Sequence, residues 1–260
     1  MNLNLKNKNA LVCGSTQGIG KATAVALANE GVNITLVARN RDKLKQVLSE
    51  LPNSENHNYI VADFSNPRDL QEQIIKFIDK NHGFHILVNN TGGPRSGAIL
   101  SASLDEFDNA FTMHLKCNHV LVQTVIPFMK KVGFGRIINV ISTSVKEPIP
   151  GLGVSNTIRG AVGNWSKTLS VELGAFGITV NNVLPGFTDT ERLAEIIKIK
   201  ATAENTSIEA MTEIMKNYSP AKRFAQPEET ANAITFLASE CAGYINGINL
   251  PVDGGRTKSL

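Results

Sequence analysis

Cysteine is scarce. Cys13, Cys117 and Cys241 are an odd number without a Cys-x-x-Cys spacing, which excludes a disulfide framework and a zinc site. Tyrosine and tryptophan are as rare, at three and one in 260 residues. No apolar run approaches the ~20 residues that span a bilayer, and Met1-Asn2-Leu3-Asn4-Leu5-Lys6 holds no apolar signal core, so no membrane partner is expected. Neither sign of charge dominates: Lys and Arg number 26 against 23 Asp and Glu. With a net charge of +3 and no basic stripe or recognition motif, nucleic-acid binding is not expected either. Repeats, low-complexity tracts and linkers are also missing. The hydrophobic fraction of 42% is too high for a disordered chain, and the length fits one α/β core. The chain therefore reads as a single cytoplasmic domain, 1–260.

What is present is alternation. Short β-rich runs at Asn9 to Cys13, Ile34 to Ala38, Asn58 to Ala62, Ile86 to Asn89, Arg136 to Ile141, Thr179 to Leu184 and Ile248 to Val252 are separated by helical patterns. Alternating strands and helices are the mark of βαβ units, and near-continuously apolar strands belong where helices cover both sheet faces. The fold class this predicts is α/β, a single Rossmann-like doubly wound parallel sheet. Ile158, Val162, Trp165, Leu169 and Leu173, spaced by three and four, mark one helix face. Thr190 to Tyr218 is helical but rich in Lys, Glu, Thr and Ala, and is expected to leave the core as a lid, 190–218.

Gly14-Ser15-Thr16-Gln17-Gly18-Ile19-Gly20 follows the first predicted strand and opens a predicted helix. Glycine permits the sharp turn and the close approach to a pyrophosphate, and the helix N-terminus favours an anion. Gly14, Ser15, Gln17, Gly18, Ile19 and Gly20 are thus candidate dinucleotide contacts. After the second strand, where a carboxylate would select a free ribose, the chain has Ala38-Arg39-Asn40-Arg41. A guanidinium suits phosphate, so Arg39, assisted by Arg41 or Lys43, points to NADP.

With these features in order, the sequence resembles the short-chain dehydrogenase/reductase family over essentially its whole length. Gly14 to Gly20 is similar to the family's TGxxxGxG, with Cys13 in place of Thr. Asp63 matches its adenine-contacting Asp, and Asn89-Asn90-Thr91-Gly92 its NNAG. Pro185-Gly186 matches its PG, and Val252-Asp253-Gly254-Gly255 a common ending. The closest resemblance is to 3-oxoacyl-acyl-carrier-protein reductases. It implies further cofactor contacts at Asp63, Phe64, Asn90, Gly92, Arg159, Pro185, Gly186 and Thr188, no metal, and a homo-oligomer, tetramer or dimer.

The family's catalytic pattern is a Ser, an Asn, and Y-x-x-x-K. Here Ser142 holds the Ser position, but Ser155 stands for Tyr, Arg159 for Lys and His114 for Asn. A serine hydroxyl is a poor terminal acid compared with a tuned tyrosine, and arginine stays protonated. His114 is the member of this quartet whose ordinary pKa, about 6.5, allows titration near neutrality, which makes it a candidate relay, with a buried structural histidine as the alternative. Lys146, Glu147 and Tyr218 are other candidate donors, and Arg95 with Lys146 would suit an anionic substrate. The expectation is an oxidoreductase moving hydride between NADP(H) and a small carbonyl or alcohol. The alternative is an NADP-binding pseudoenzyme serving as a sensor or partner subunit.

Overall fold

Residues 1–259 are described by the computed structural model. Strands β1 (Asn9–Cys13), β2 (Asn33–Ala38), β3 (Asn58–Val61), β4 (Ile86–Asn89), β5 (Gly135–Val140), β6 (Ile178–Pro185) and β7 (Asn249–Val252) form one sheet. Its order is β3-β2-β1-β4-β5-β6-β7, with every pairing parallel. All seven strands fall within one residue of the bounds read from the sequence. The doubly wound α/β class is therefore correct.

Alternation along each strand feeds two separate cores. Ala10 and Val12 of β1 pack with Leu27 of α1 (Gly18–Asn29), Leu44 of α2 (Arg41–Glu50) and Ile234 of α9 (Pro227–Ala238). Leu11 and Cys13 point the other way, to Leu70 of α3 (Pro67–Lys80) and Leu121 of α5 (Cys117–Val132). Ile86 and Val88 against Leu87 repeat the pattern in β4. Burying each such leucine contributes about 1.5–3 kcal/mol, and a parallel sheet with both faces covered follows from that.

Three features hold the functional end in place. First, Asn89, Asn139, Asn182 and Asn249 stand in register on four adjacent strands. Asn89 Nδ2 donates to Asn139 Oδ1 (2.8 Å), and Asn182 Nδ2 donates to Asn249 Oδ1 (2.8 Å). Asn139 Nδ2 donates to Asn182 Oδ1 (3.0 Å) and to Ser166 Oγ (2.9 Å), tying α6 (Gly153–Leu173) to the sheet. Second, α4 (Leu104–Phe111) runs into α5 through a π turn over Thr112–Lys116, a distortion that re-aims side chains. Third, the segment 190–218 is two helices, α7 (Glu191–Ala203) and α8 (Ile208–Asn217), broken where Asn205 takes a left-handed φ of 49°. They share a small core of Leu193, Ile197, Ala201, Met211 and Met215, and leave Ile199, Ile208 and Ile214 exposed among their polar residues.

Candidate active site

The sheet order reverses between β1 and β4, and a crevice opens there at the carboxyl ends of the strands. It is a cleft of about 620 Å³ running from the β3 side past β5 to the end of β6, and its β3 and β5 positions give a lower bound on its length. Those two positions lie four strand spacings apart, or about 19 Å.

At the first end, Gly14 sits at φ +58°, and a Cβ there would come within 2.5 Å of the Asn90 carbonyl oxygen. Only glycine meets both demands. Gly14, Gln17, Gly18 and Ile19 line the cleft as expected. Ser15 and Gly20 do not. The turn sends the Ser15 side chain inward, where it is fully buried and its Oγ has no hydrogen-bond partner among the described residues. Thr16, passed over in the sequence, faces the cleft instead. Gly20 backs onto the Gly14 carbonyl and Asn90 Nδ2, so it serves helix packing.

The capping residue of α1, Gln17, makes no side-chain capping bond, and the first turn carries no acid. By contrast α2, α3, α4, α7 and α8 are capped by Asn40, Asn66, Ser103, Thr190 and Ser207. The amides at the start of α1 are therefore open to an anion in the cleft. Arg39 lines the cleft, exposed and without a hydrogen bond or ion pair among the described residues. Lys43 lies alongside, its Nζ donating to Gln17 Oε1 (3.4 Å), while Arg41 does not border the cleft. Asp63, Phe64, Asn90 and Gly92 complete this half, and Asn90 Nδ2 donates to the carbonyls of Cys13 and Gly14 (3.3 Å each). Cys13 is fully buried, its thiol pushed far above the ordinary range by burial, so it packs and does not react.

At the other end, Ser142, Ser155, Arg159, Pro185, Gly186 and Thr188 line the same cleft. Ser142 Oγ accepts from Ser144 N (3.1 Å), which leaves its own hydrogen free to donate. Arg159 is buried. Its Nη1 donates to the Val140 carbonyl (2.9 Å), and its Nε has no partner among the described residues. Burial lowers its pKa to about 10, and it stays charged at neutral pH.

His114 departs from expectation. The π turn points its ring into the protein, 2% exposed and outside the cleft lining, where it shares a 2.7 Å hydrogen bond with Thr91 Oγ1. Burial first, and the neighbouring Arg159 second, push its pKa down to about 2. The ring is neutral at working pH, which removes it as a near-neutral relay. It holds the loop carrying Thr91 and Gly92. Arg95, Lys146 and Tyr218 do not border the cleft, and Tyr218 is 54% exposed.

Two cations that sequence reasoning missed do border it, Arg192 on α7 and Arg256 after β7. Arg192 Nη2 donates to the Pro94 carbonyl (3.1 Å) and Nη1 pairs with Glu195 (3.3 Å). Arg256 Nη1 donates to Thr143 Oγ1 (3.2 Å), and its guanidinium lies 4.6 Å from the centre of the Phe187 ring. The signal available for Arg256 was its place directly behind the Asp253-Gly254-Gly255 turn.

Known proteins resemble the chain over almost its whole length. Residues 14–257 match the family described as enoyl-(acyl carrier protein) reductase. The NADPH-dependent reductase BacG of Bacillus subtilis is 29% identical over 98% of this chain and all of its own. A 3-oxoacyl-[acyl-carrier-protein] reductase of Synechocystis is 32% identical over 95% of each chain. The structure of L-sorbose reductase from Gluconobacter frateurii, complexed with NADPH and L-sorbose, matches with a TM-score of 0.93 at 30% identity over the whole of both chains. A family match across nearly the full length, on a seven-stranded parallel sheet with its cleft at the switch point, means that the chain belongs to the short-chain dehydrogenase/reductase family.

Proposed function

We propose that the chain is an NADP(H)-dependent reductase of a small carbonyl compound, with Ser142, Ser155 and Arg159 around the reacting oxygen. The observation that carries this is one continuous cleft lined by the glycine turn and Arg39 at one end and by those three side chains at the other. The residues fit the cofactor. Gly14, Gln17, Gly18, Ile19 and Thr16 would receive the pyrophosphate at the uncapped start of α1, and Arg39 with Lys43 the 2′-phosphate. Asp63 and Phe64 would border the adenine, and Asn90, Gly92, Arg159, Pro185, Gly186 and Thr188 the nicotinamide half.

Bound there, NADPH supplies a hydride to the carbonyl carbon. The oxygen then gains negative charge, and the free hydrogens of Ser142 and Ser155 are placed to donate to it. Arg159 adds a positive charge from the cleft wall without giving up its proton. The titratable side chains lining the cleft are Arg39, Lys43, Asp63, Arg159, Arg192 and Arg256, and no histidine, cysteine or tyrosine is among them. The proton for the alkoxide is therefore assigned to solvent, passed through the Ser155 hydroxyl, which gives one proton and regains one. The same reading includes a homodimer or homotetramer, as the family resemblance implies. Light scattering on the purified protein tests that part.

The absence of a near-neutral acid from the cleft lining also favours the second reading, an NADP-binding sensor or partner subunit. Fluorescence titration with NADPH, followed by NADPH oxidation against a panel of ketones and aldehydes, separates the two. Saturable binding with turnover is the expected result, binding without turnover leaves the sensor, and no binding overturns both.

A further inference from the structure

The half of the cleft that would hold substrate is unbalanced in charge. Among the described residues Asp63 is the only acid in the lining, and it sits on the β3 side, at the far end from Ser142. Beyond Ser142, Ser155 and Arg159 the lining includes an apolar set, Ile149, Leu152, Phe187, Leu193 and Ile196, with Arg256 beside it. This guanidinium is half-buried and makes one recorded hydrogen bond, to the Thr143 hydroxyl, and no ion pair among the described residues. Two carboxylates, Glu147 and Asp253, lie close enough to favour its charge, but neither hydrogen-bonds to the guanidinium among the described residues. Glu147 Oε1 accepts from the backbone N–H groups of Lys258 (2.6 Å) and Ser259 (2.7 Å). Asp253 accepts from Gly255 N (3.0 Å), Thr257 N (2.8 Å) and Thr257 Oγ1 (2.6 Å). Of the other two cations at this end, Arg192 is already bound to Glu195 and Pro94, and Arg159 is buried in the wall with Nη1 on the Val140 carbonyl.

The position of Arg256 is built rather than incidental. The turn at Gly254 and Gly255, at φ of 64° and 82°, is clamped from outside by Ser219 Oγ, which donates to the carbonyls of Asp253 (3.2 Å) and Gly254 (2.9 Å). The far side of the tail is fastened through Glu147. The guanidinium stacks on Phe187 and touches the residue next to Ser142. With one hydrogen bond, to Thr143, the guanidinium keeps donors open toward the cleft, and an acceptor there would satisfy them.

We propose that the substrate is a carbonyl compound bearing a carboxylate, an oxo acid, and that Arg256 binds the carboxylate while Ser142 faces the carbonyl oxygen. This rests on the reductase reading and names its substrate class. The guanidinium presents paired donors that match a carboxylate. The apolar lining suits a hydrocarbon body. Because Arg256 bonds Thr143, the residue beside Ser142, anion and carbonyl are close, and a short spacer between them fits.

The test uses acetoacetate and levulinate, each beside its own methyl ester, with the intact protein and saturating NADPH. Acid over ester should be favoured in kcat/KM by roughly thirtyfold, the worth of a hydrogen bond to a charged group, about 2 kcal/mol. The effect should appear mainly in KM. Arg256→Met, which keeps the stem against Phe187, should bring the ratio to near one, and Arg256→Lys should restore part of it. Calorimetric titration of the same acids and esters into the NADP-loaded protein reads the same preference without turnover. A variant that does not fold is identified by its thermal melt, and the acid-to-ester ratio in the unaltered protein then decides. Reduction of esters and acids at equal rates would overturn the oxo-acid proposal and leave the reductase standing. Absence of all turnover would overturn the reductase, and equal binding of acid and ester would then overturn the role of Arg256 as well.

Discussion

At the phosphate end of the cleft the working groups are mostly backbone, from the consecutive run Gly14 to Ile19. At the reacting end they are side chains from four separate places: Ser142 after β5, Ser155 and Arg159 on α6, Arg192 on α7 and Arg256 behind β7. A backbone site depends on φ and on close approach, so it tolerates few residue types and is visible as glycine in a fixed pattern. A side-chain site keeps its scaffold while its chemistry changes. If Ser155 and Arg159 stand where the family pattern has tyrosine and lysine, as the resemblance implies, α6 carries them without disturbance. The Asn139 to Ser166 bond and the buried Ile158 and Val162 hold that helix whatever stands at 155.

The largest effect should come from breaking the backbone end. Gly14→Val would force a branched residue to φ +58° and drive its Cβ onto the Asn90 carbonyl. We expect a loss of NADPH affinity of at least ~100-fold, by converting a cost of about 3 kcal/mol, and a lowered melting temperature. Retained affinity would show that the turn is no cradle. Next is the reacting end, where Ser142→Ala should lower kcat by roughly 100-fold through the lost oxyanion donor while the NADPH dissociation constant stays within about twofold. A matching loss of affinity would place Ser142 with the cofactor instead.

A smaller change should come from Arg39→Asp, which is expected to remove a preference for NADPH over NADH of about tenfold, or 1.4 kcal/mol. Competitive titration with the two dinucleotides checks it, and equal affinities in the unaltered protein would release Arg39 from that role. Smallest in activity should be His114→Asn, because the ring does not border the cleft and is not charged at working pH. The pH profile of kcat/KM should show no inflection near 6.5 that this variant abolishes. Stability is where His114 should be felt. Its folded pKa, about 2, lies below the unfolded value, so the unfolded chain takes up a proton that the folded ring refuses. Stability from this group is fully present above about pH 6.5 and is lost as pH falls, by up to about 1.4 kcal/mol per pH unit. Urea unfolding at pH 7 and pH 5 should give a steeper loss for the unaltered protein than for the variant, and parallel losses would contradict the assignment. Hydrogen exchange sharpens the comparison at its edge: α7 and α8, with a small core of their own, should exchange faster than β1 and β4 and slow when NADPH binds. Uniform protection would show that this segment is no lid.

Much of this molecule follows from local pattern. Strand period and the Gly14 to Gly20 turn are short-range properties, and each was legible because a few neighbouring residues decide it. The fold class and the dinucleotide end come from that. What the chain alone left open depended on where side chains meet after folding. Ser15 and Thr16 are adjacent hydroxyls, and only the direction of the turn separates the buried one from the one in the cleft. The chemistry of His114 depended on a π turn and on Arg159, 45 positions away, because burial and a neighbouring charge set a pKa while sequence distance does not. Arg256 stood unremarked behind a glycine turn, and the sheet brought it to Thr143, 113 residues earlier in the chain.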